Sequence, residues 1–156
     1  MSPHIGYLCG FTRAALYQFA YCSISTIYDP SQEILDDIVR SARYNNLRNE
    51  ITGILLYKDS GFLQIIEGEE QALKDTVFLI LKDRRHKHII ILYNVPIEKR
   101  DFSEWRLAFR TPAFTPKIGE RLKGTDFNEY ITDPAGISTK LSKRAQTLLT
   151  VFEEHM

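Results

Sequence analysis

Apolar and polar positions alternate along this chain with a period that switches between two and about 3.6, and each switch marks a new element. Residues 16 to 23, LYQFAYCS, are aromatic and β-rich and read as a strand. The chain then turns at Tyr28-Asp29-Pro30. Asp29 suits a helix N-cap, Pro30 the first helical position and Gln32 a capping box. Ile34, Leu35, Ile38, Val39 and Ala42 follow as one apolar stripe, with Asp36, Asp37, Arg40 and Arg43 outside it. The first helix is expected to end near Asn45-Asn46.

Residues 51 to 57, ITGILLY, make a second strand, Asp59-Ser60-Gly61 a turn, and residues 62 to 67, FLQIIE, a third strand. So short a turn implies an antiparallel hairpin. Residues 69 to 83 carry Leu73, Val77, Ile80 and Leu81 at helical spacing, acidic at the start and basic at the end, which suits the helix dipole. Residues 88 to 95, HIIILYNV, are a fourth strand that Pro96 closes or marks as an edge. Trp105, Leu107 and Phe109 alternate with polar or small residues and predict a fifth.

The order is β-α-β-β-α-β-β, an α+β, ferredoxin-like sandwich with an added fifth strand. Two helices cover one sheet face, and the tail offers a cover for the other. Residues 111 to 124 read as a linker and residues 125 to 131 as a short helix. Residues 138 to 154 form an amphipathic helix with Leu141, Ala145, Leu148, Leu149 and Phe152 on one side. C-terminal helices are therefore expected to pack on the sheet, or to pair with a partner. The expected division is an extension over 1–15, a domain over 16–110, and a linker with helical cap over 111–156.

Charge adds little. Twenty basic residues balance twenty acidic ones, so no polyanion-binding surplus exists and nucleic acid is not an expected partner. The third strand also lacks the basic-Gly-aromatic signature of RNA-binding domains. Two cysteines, Cys9 and Cys22, are too few for a disulfide framework and suit a reducing compartment, so the cytoplasm is the expected location. No apolar run is long enough to span a bilayer, and no membrane partner is expected.

Common catalytic motifs are absent: no G-x-S-x-G, H-E-x-x-H, P-loop or G-x-G-x-x-G occurs. His86 and His88 can share a strand face but lack further ligands, so no metal is expected. Gln64 is the odd residue of the third strand. Alternation puts it on one face with Phe62 and Ile66, where a half-buried amide must find partners. Backbone or water can supply them. Tyr21 shares a face with Phe19 and Ser23, and a buried phenol also needs a partner; an ordinary core tyrosine meets that description. If the two faces coincide, Tyr21 and Gln64 can touch. Asn45 and Asn46 serve either as a helix C-cap or as donors and acceptors for a heterocycle edge. Residues Lys82 to His86 complement a helix end or place a cation near an anion.

Taken together, LYQFAYCS, ILDDIVRSARYNN, EITGILLYKDSGFLQIIEGEE, LKDRRH and RDFSEWRL resemble the BLUF family, the sensors of blue light using flavin. The resemblance spans about Leu16 to Phe109. It implies a non-covalent flavin, FAD with FMN or riboflavin as alternatives, and a photosensory module rather than an enzyme. It implies that Tyr21 is the photoactive tyrosine and Gln64 the glutamine beside it. Asn46, with Asn45 next to it, would bond the pyrimidine edge. Ile38 and Ile80 would sandwich the ring, Phe62 would line the site, and Asp83, Arg85 and His86 would complete it. Trp105 and Leu107 would relay the signal. In the implied mechanism an electron and then a proton leave Tyr21, recombination leaves Gln64 rearranged, and a new hydrogen bond to the flavin C4 carbonyl shifts absorption to the red.

Three departures stand out. Leu107 replaces a usual methionine, Glu50 stands where glycine is common, and the N-terminal extension is longer than usual. With no effector domain expected within 156 residues, output is expected through an effector protein in trans or a homo-oligomer. A flavin-dependent redox enzyme and a cofactor-free interaction domain are the alternatives on the same fold.

Overall fold

The computed structural model describes residues 14–103, 107–110 and 141–155. The elements are β1 (Leu16–Ser25), α1 (Gln32–Arg48), β2 (Thr52–Lys58), β3 (Gly61–Glu69), α2 (Glu70–Lys82), β4 (His86–Ile97), β5 (Ala108–Arg110) and α3 (Lys143–His155). The sheet runs β4-β1-β3-β2-β5, with every contact antiparallel except that between β2 and β5, which is parallel. The α+β, ferredoxin-like order read from the sequence is therefore present, with its fifth strand added beside β2. Trp105, the 111–124 linker and the 125–131 helix fall outside the described residues.

The β2–β3 hairpin closes through Asp59 and Ser60, both at positive φ (47° and 67°), between the paired Lys58 and Gly61. Such a two-residue loop matches the twist of the strands it joins. It sets the register that pairs Leu55 with Gln64 and Gly53 with Ile66. Gly53 is required there: a Cβ would sit 2.2 Å from the Ile65 carbonyl oxygen.

The first helix begins and ends elsewhere than its sequence suggested. Its N-cap is Ser31, whose hydroxyl accepts from Ile34 N–H. Asp29 instead takes a positive φ of 45°, consistent with the bar that Pro30 places on a helical neighbour. Asn45 and Asn46 lie inside the last turn, because Asn49 provides the C-cap and Ile51 N–H bonds back to the Asn46 carbonyl. Glu50, in the position where glycine is common, has φ 54°. In α2, Leu81 is half exposed while Thr76 is buried. Leu81 sits about 80° around the helix from Leu73, and the inward stripe instead centres on Leu73 and Thr76.

β3 is buried from Gly61 to Gly68, so both of its faces need cover. On one face, Leu55, Tyr57 and Phe62 pack against Leu35 and Val39 of α1, while Phe19, Tyr21 and Ile66 pack against Leu73 of α2. On the other, Ala20, Ile54, Leu56, Leu63 and Ile65 meet Phe102 and the α3 residues Ala145, Leu149 and Phe152. The last helix thus covers the open sheet face, using the stripe read from its sequence. β4 is an outer strand whose register against β1 shifts twice; its Ile90, Ile91 and Leu92 are exposed, and His88 has a positive φ of 53°. Pro96 lies within this edge strand, where a missing donor is tolerated.

Candidate functional site

A cleft opens between α1, α2 and the sheet. The sheet contributes Tyr21 from β1, Leu55 from β2, and Phe62 and Gln64 from β3; α1 contributes Ile38, Ala42, Asn45 and Asn46. The second helix and the residues after it contribute Thr76, Leu79, Ile80, Asp83, Arg85 and His86.

Tyr21 and Gln64 are direct cross-strand partners in the β1–β3 ladder, so both side chains leave the sheet on the same face. The Tyr21 hydroxyl donates to Gln64 Oε1 at 2.5 Å, and both residues are only 4% exposed. Burial, reinforced by the Asp83 carboxylate, pushes the Tyr21 phenol well above its ordinary pKa. The group enters any chemistry protonated. The Tyr21 ring also packs against His86, with centroids 5.9 Å apart.

Both His86 nitrogens are engaged. Nε2 is 2.8 Å from the Ile80 carbonyl oxygen, which can only accept, so Nε2 carries the proton. Nδ1 is 2.8 Å from Ser23 Oγ, a residue buried beside Tyr21 on β1. The imidazole therefore ties the end of α2 to β1.

Arg85 and Asp83 form a partly exposed pair, with Nη2 to Oδ2 at 2.5 Å and the Arg85 backbone N–H donating to Oδ1 at 2.9 Å. Burial alone would raise the Asp83 carboxyl, but the Arg85 donors outweigh it and hold the group below its usual range. Both Arg85 terminal nitrogens also reach Ser41 Oγ on α1 at 3.1 Å, closing one side of the cleft between the helices.

The ten cleft residues singled out from the sequence are all brought together. Leu107 is not among them: it lies behind the wall, 2% exposed, against Leu35, Val39, Leu55, Tyr57 and Phe62, and its carbonyl accepts from Arg43 Nε. Sequence reasoning missed Ala42, Leu55, Thr76 and Leu79 as lining residues. Ala42 and Leu55 carried only a core signal. Thr76 gave a signal that went unread, a polar residue on the inward stripe of α2, where its hydroxyl bonds Ala72 O and accepts from Asn49.

An apolar slot between Ile38 and Ile80, with the carboxamides of Asn45, Asn46 and Gln64 on its walls, suits a flat heteroaromatic ring with donor and acceptor edges. Asn46 is 2% exposed, and ring-edge recognition needs such a fixed buried amide. An isoalloxazine meets these demands. Among the described residues no helix is long and apolar enough to cross a membrane.

A family model described as "Sensors of blue-light using FAD" matches residues 16–108. A photoactivated adenylate cyclase subunit alpha of Euglena gracilis is 34% identical over 95 residues, 59% of this chain and 9% of that protein. The blue light- and temperature-regulated antirepressor BluF of Escherichia coli is 36% identical over 58 residues, 37% of this chain and 14% of that one. The chain thus spans only about a tenth of the curated relatives' length. Among solved structures, the dark state of the BLUF protein BlrB superposes with a TM-score of 0.59 at 37% identity, covering 63% of this chain and 74% of that one. Klebsiella pneumoniae BlrP1 with FMN and cyclic diGMP gives 0.66 at 27% identity, covering 88% and 34%.

Proposed function

The chain belongs to the family of sensors of blue light using FAD, and from that premise we propose that its cleft holds one flavin non-covalently and that Tyr21 and Gln64 turn absorbed light into a structural signal. The observation that carries this reading is the buried Tyr21–Gln64 hydrogen bond of 2.5 Å at the cleft wall. Bound flavin supplies a chromophore that becomes a strong electron acceptor under blue light. Tyr21 is the electron donor. Its phenol cannot ionise beforehand, since burial holds the proton on. Loss of an electron makes the phenol far more acidic, and Gln64 Oε1 is the acceptor already in contact with the proton. His86 is a poor competitor, because Ile80 and Ser23 occupy both its nitrogens. Electron and proton then return to Tyr21, so no covalent bond is made or broken, and the amide of Gln64 is left in a new hydrogen-bonding arrangement that relaxes in the dark.

Asn46 and Asn45 hold the ring edge, Ile38 and Ile80 its faces, and Arg85 a polarised or anionic group. FAD is the flavin favoured by the family description, with FMN and riboflavin as alternatives. The module acts as a sensor rather than an enzyme, in the cytoplasm, and reports to an effector protein or to a second copy of itself; Leu107 and Trp105 belong to the relay.

The test is the visible spectrum of the flavin-loaded protein before and after blue light, beside Tyr21→Phe. A small red shift that reverses in darkness and is missing in the variant supports the reading. Bleaching, or a shift that survives in Tyr21→Phe, would sink it.

A further inference from the structure

Side chains tie the two helices that wall the cleft to each other. At one end Arg85, just past α2, reaches Ser41 Oγ on α1 with both terminal nitrogens at 3.1 Å. At the other end Asn49 Nδ2 donates to Thr76 Oγ1 on α2 at 3.0 Å. Ser41, Asn45 and Asn49 are spaced four residues apart, so they lie close to one line along α1. The first and last of that line are held by the opposite wall, and the middle one lines the cleft. The two ties stand about 12 Å apart along the helix, so α1 cannot tilt away from α2 without breaking one of them.

Thr76 is out of character for its position. It sits on the inward stripe of α2, 2% exposed, one turn from the apolar Leu73 and Ile80. A β-branched hydroxyl residue favours neither a helix interior nor a dry core. Its own helix takes the proton, since Oγ1 donates to the Ala72 carbonyl at 2.9 Å. The oxygen lone pairs remain, and Asn49 supplies their donor.

Asn49 serves twice at the end of α1. Its backbone N–H bonds the Asn45 carbonyl at 3.2 Å and closes the last turn. Beside it the Asn46 carbonyl accepts from Ile51 N–H at 2.9 Å. The two asparagines that line the cleft are therefore carried on a turn whose cap is fastened to α2. Asn49 does not itself line the cleft, so it acts through these neighbours.

We propose that Asn49 is a positioning residue for the flavin: its bond to Thr76 fixes the end of α1 against α2 and so sets where Asn45 and Asn46 meet the ring edge. This deepens the flavin-binding reading given above and rests on it. The experiment is a double-mutant cycle on the flavin-loaded full chain, with Asn49→Ala, Thr76→Val and the two combined, and Thr76→Ser as the conservative replacement. Asn49 has φ −100° and ψ 8°, which alanine can adopt, and its backbone cap bonds stay. Valine keeps the branched shape of threonine and removes the hydroxyl. Three quantities are read: FAD affinity by equilibrium dialysis, the infrared frequencies of the flavin ring-edge carbonyls at saturating FAD, and light-minus-dark absorption of the same samples. Each single variant is expected to bind FAD about fivefold more weakly, the worth of one neutral hydrogen bond. The combined variant should be no weaker than either, and Thr76→Ser should regain most of the loss. Carbonyl frequencies should rise in both single variants, because hydrogen bonds from displaced amides slacken; a tie that merely stabilised the fold would leave them unmoved. Losses that multiply to about twenty-fivefold in the combined variant would mean that the two residues act independently and would overturn the proposal. Wild-type affinity in Asn49→Ala, or unchanged carbonyl frequencies, would overturn it too. A wild type that binds FAD but shows no red shift would defeat the light-sensing reading and leave the positioning role supported by affinity and carbonyl frequency; one that binds no FAD would defeat both.

Discussion

Tyr21 and Gln64 stand opposite each other in the β1–β3 ladder, and the phenol of one donates to the amide oxygen of the other at 2.5 Å. Strand pairing alone brings the two groups together; no loop has to move to make the contact. Replacing Tyr21 by Phe should leave Gln64 Oε1 buried without its donor, at a cost of about 1–3 kcal/mol. The thermal midpoint is expected to fall by several degrees. Flavin should still bind, because the apolar walls and the asparagines are untouched. Calorimetry and a flavin fluorescence titration of the variant check both parts.

Asn46 is a buried carboxamide on the last turn of α1. Asn46→Ala should keep the helix, whose cap is Asn49, and should weaken flavin binding about tenfold, the equivalent of one good hydrogen bond. Titration of the apoprotein with FAD gives the number. Unchanged affinity would remove Asn46 from the ring edge.

Alkaline pH should expose the buried phenol of Tyr21 and the partly buried one of Tyr93. Burial raises the pKa of Tyr21, and it also raises that of Tyr93 against the opposing pull of the Arg144 guanidinium. Below about pH 10 both phenols are protonated in the folded and unfolded chain alike, and their contribution to stability is fully present. Above it the unfolded chain releases protons that the fold retains, so stability is lost at up to about 1.4 kcal/mol per pH unit for Tyr21, and by less for the partly exposed Tyr93, whose shift solvent screens. Urea midpoints between pH 9 and 11 should drop steeply, and less steeply in Tyr93→Phe.

Glu50 holds a left-handed conformation, φ 54°, that costs a side-chain-bearing residue about 1–2 kcal/mol. Part of any gain from glycine is lost to the entropy of the unfolded chain. Glu50→Gly is therefore expected to raise stability by about 0.5–1 kcal/mol without altering the spectrum. A lower denaturation midpoint would contradict this.

Gly53→Ala is the opposite case. Its Cβ would meet the Ile65 carbonyl oxygen at 2.2 Å and the Ile66 Cα at 3.0 Å, backbone atoms of the central strand that cannot step aside. A loss of about 3 kcal/mol or more is expected in chemical denaturation.

Much of this was legible because period and face are local properties. Alternation put Gln64 with Phe62 and Ile66, and Tyr21 with Ser23, before any pairing was known. The stripe of α3 named Ala145, Leu149 and Phe152 for the same reason. Glu67 was not legible. A glutamate at the end of an apolar strand reads as the point where the chain meets water, and only the fold gathers Gln18, Thr52, Asp101 and Phe102 around it. The start of α1 was misplaced because Asp29 and Ser31 are both good caps, and the choice depended on how Pro30 bends the chain. The parallel pairing of β5 with β2 is a long-range event that no short pattern encodes.

The outer strand β4 is the longest in the sheet, and its Ile90-Ile91-Leu92 run is exposed on a strand that pairs on one side only among the described residues. By hydrophobicity alone it would be the natural seed for edge-to-edge stacking of copies. Yet its ladder with β1 slips twice, and His88 twists out of the extended conformation. Outward amides and carbonyls along such a strand do not repeat at one spacing, so an incoming straight strand would bond with a few residues and miss the next. The irregularity that spoils β4 as a regular ribbon also guards the sheet against fibrous growth.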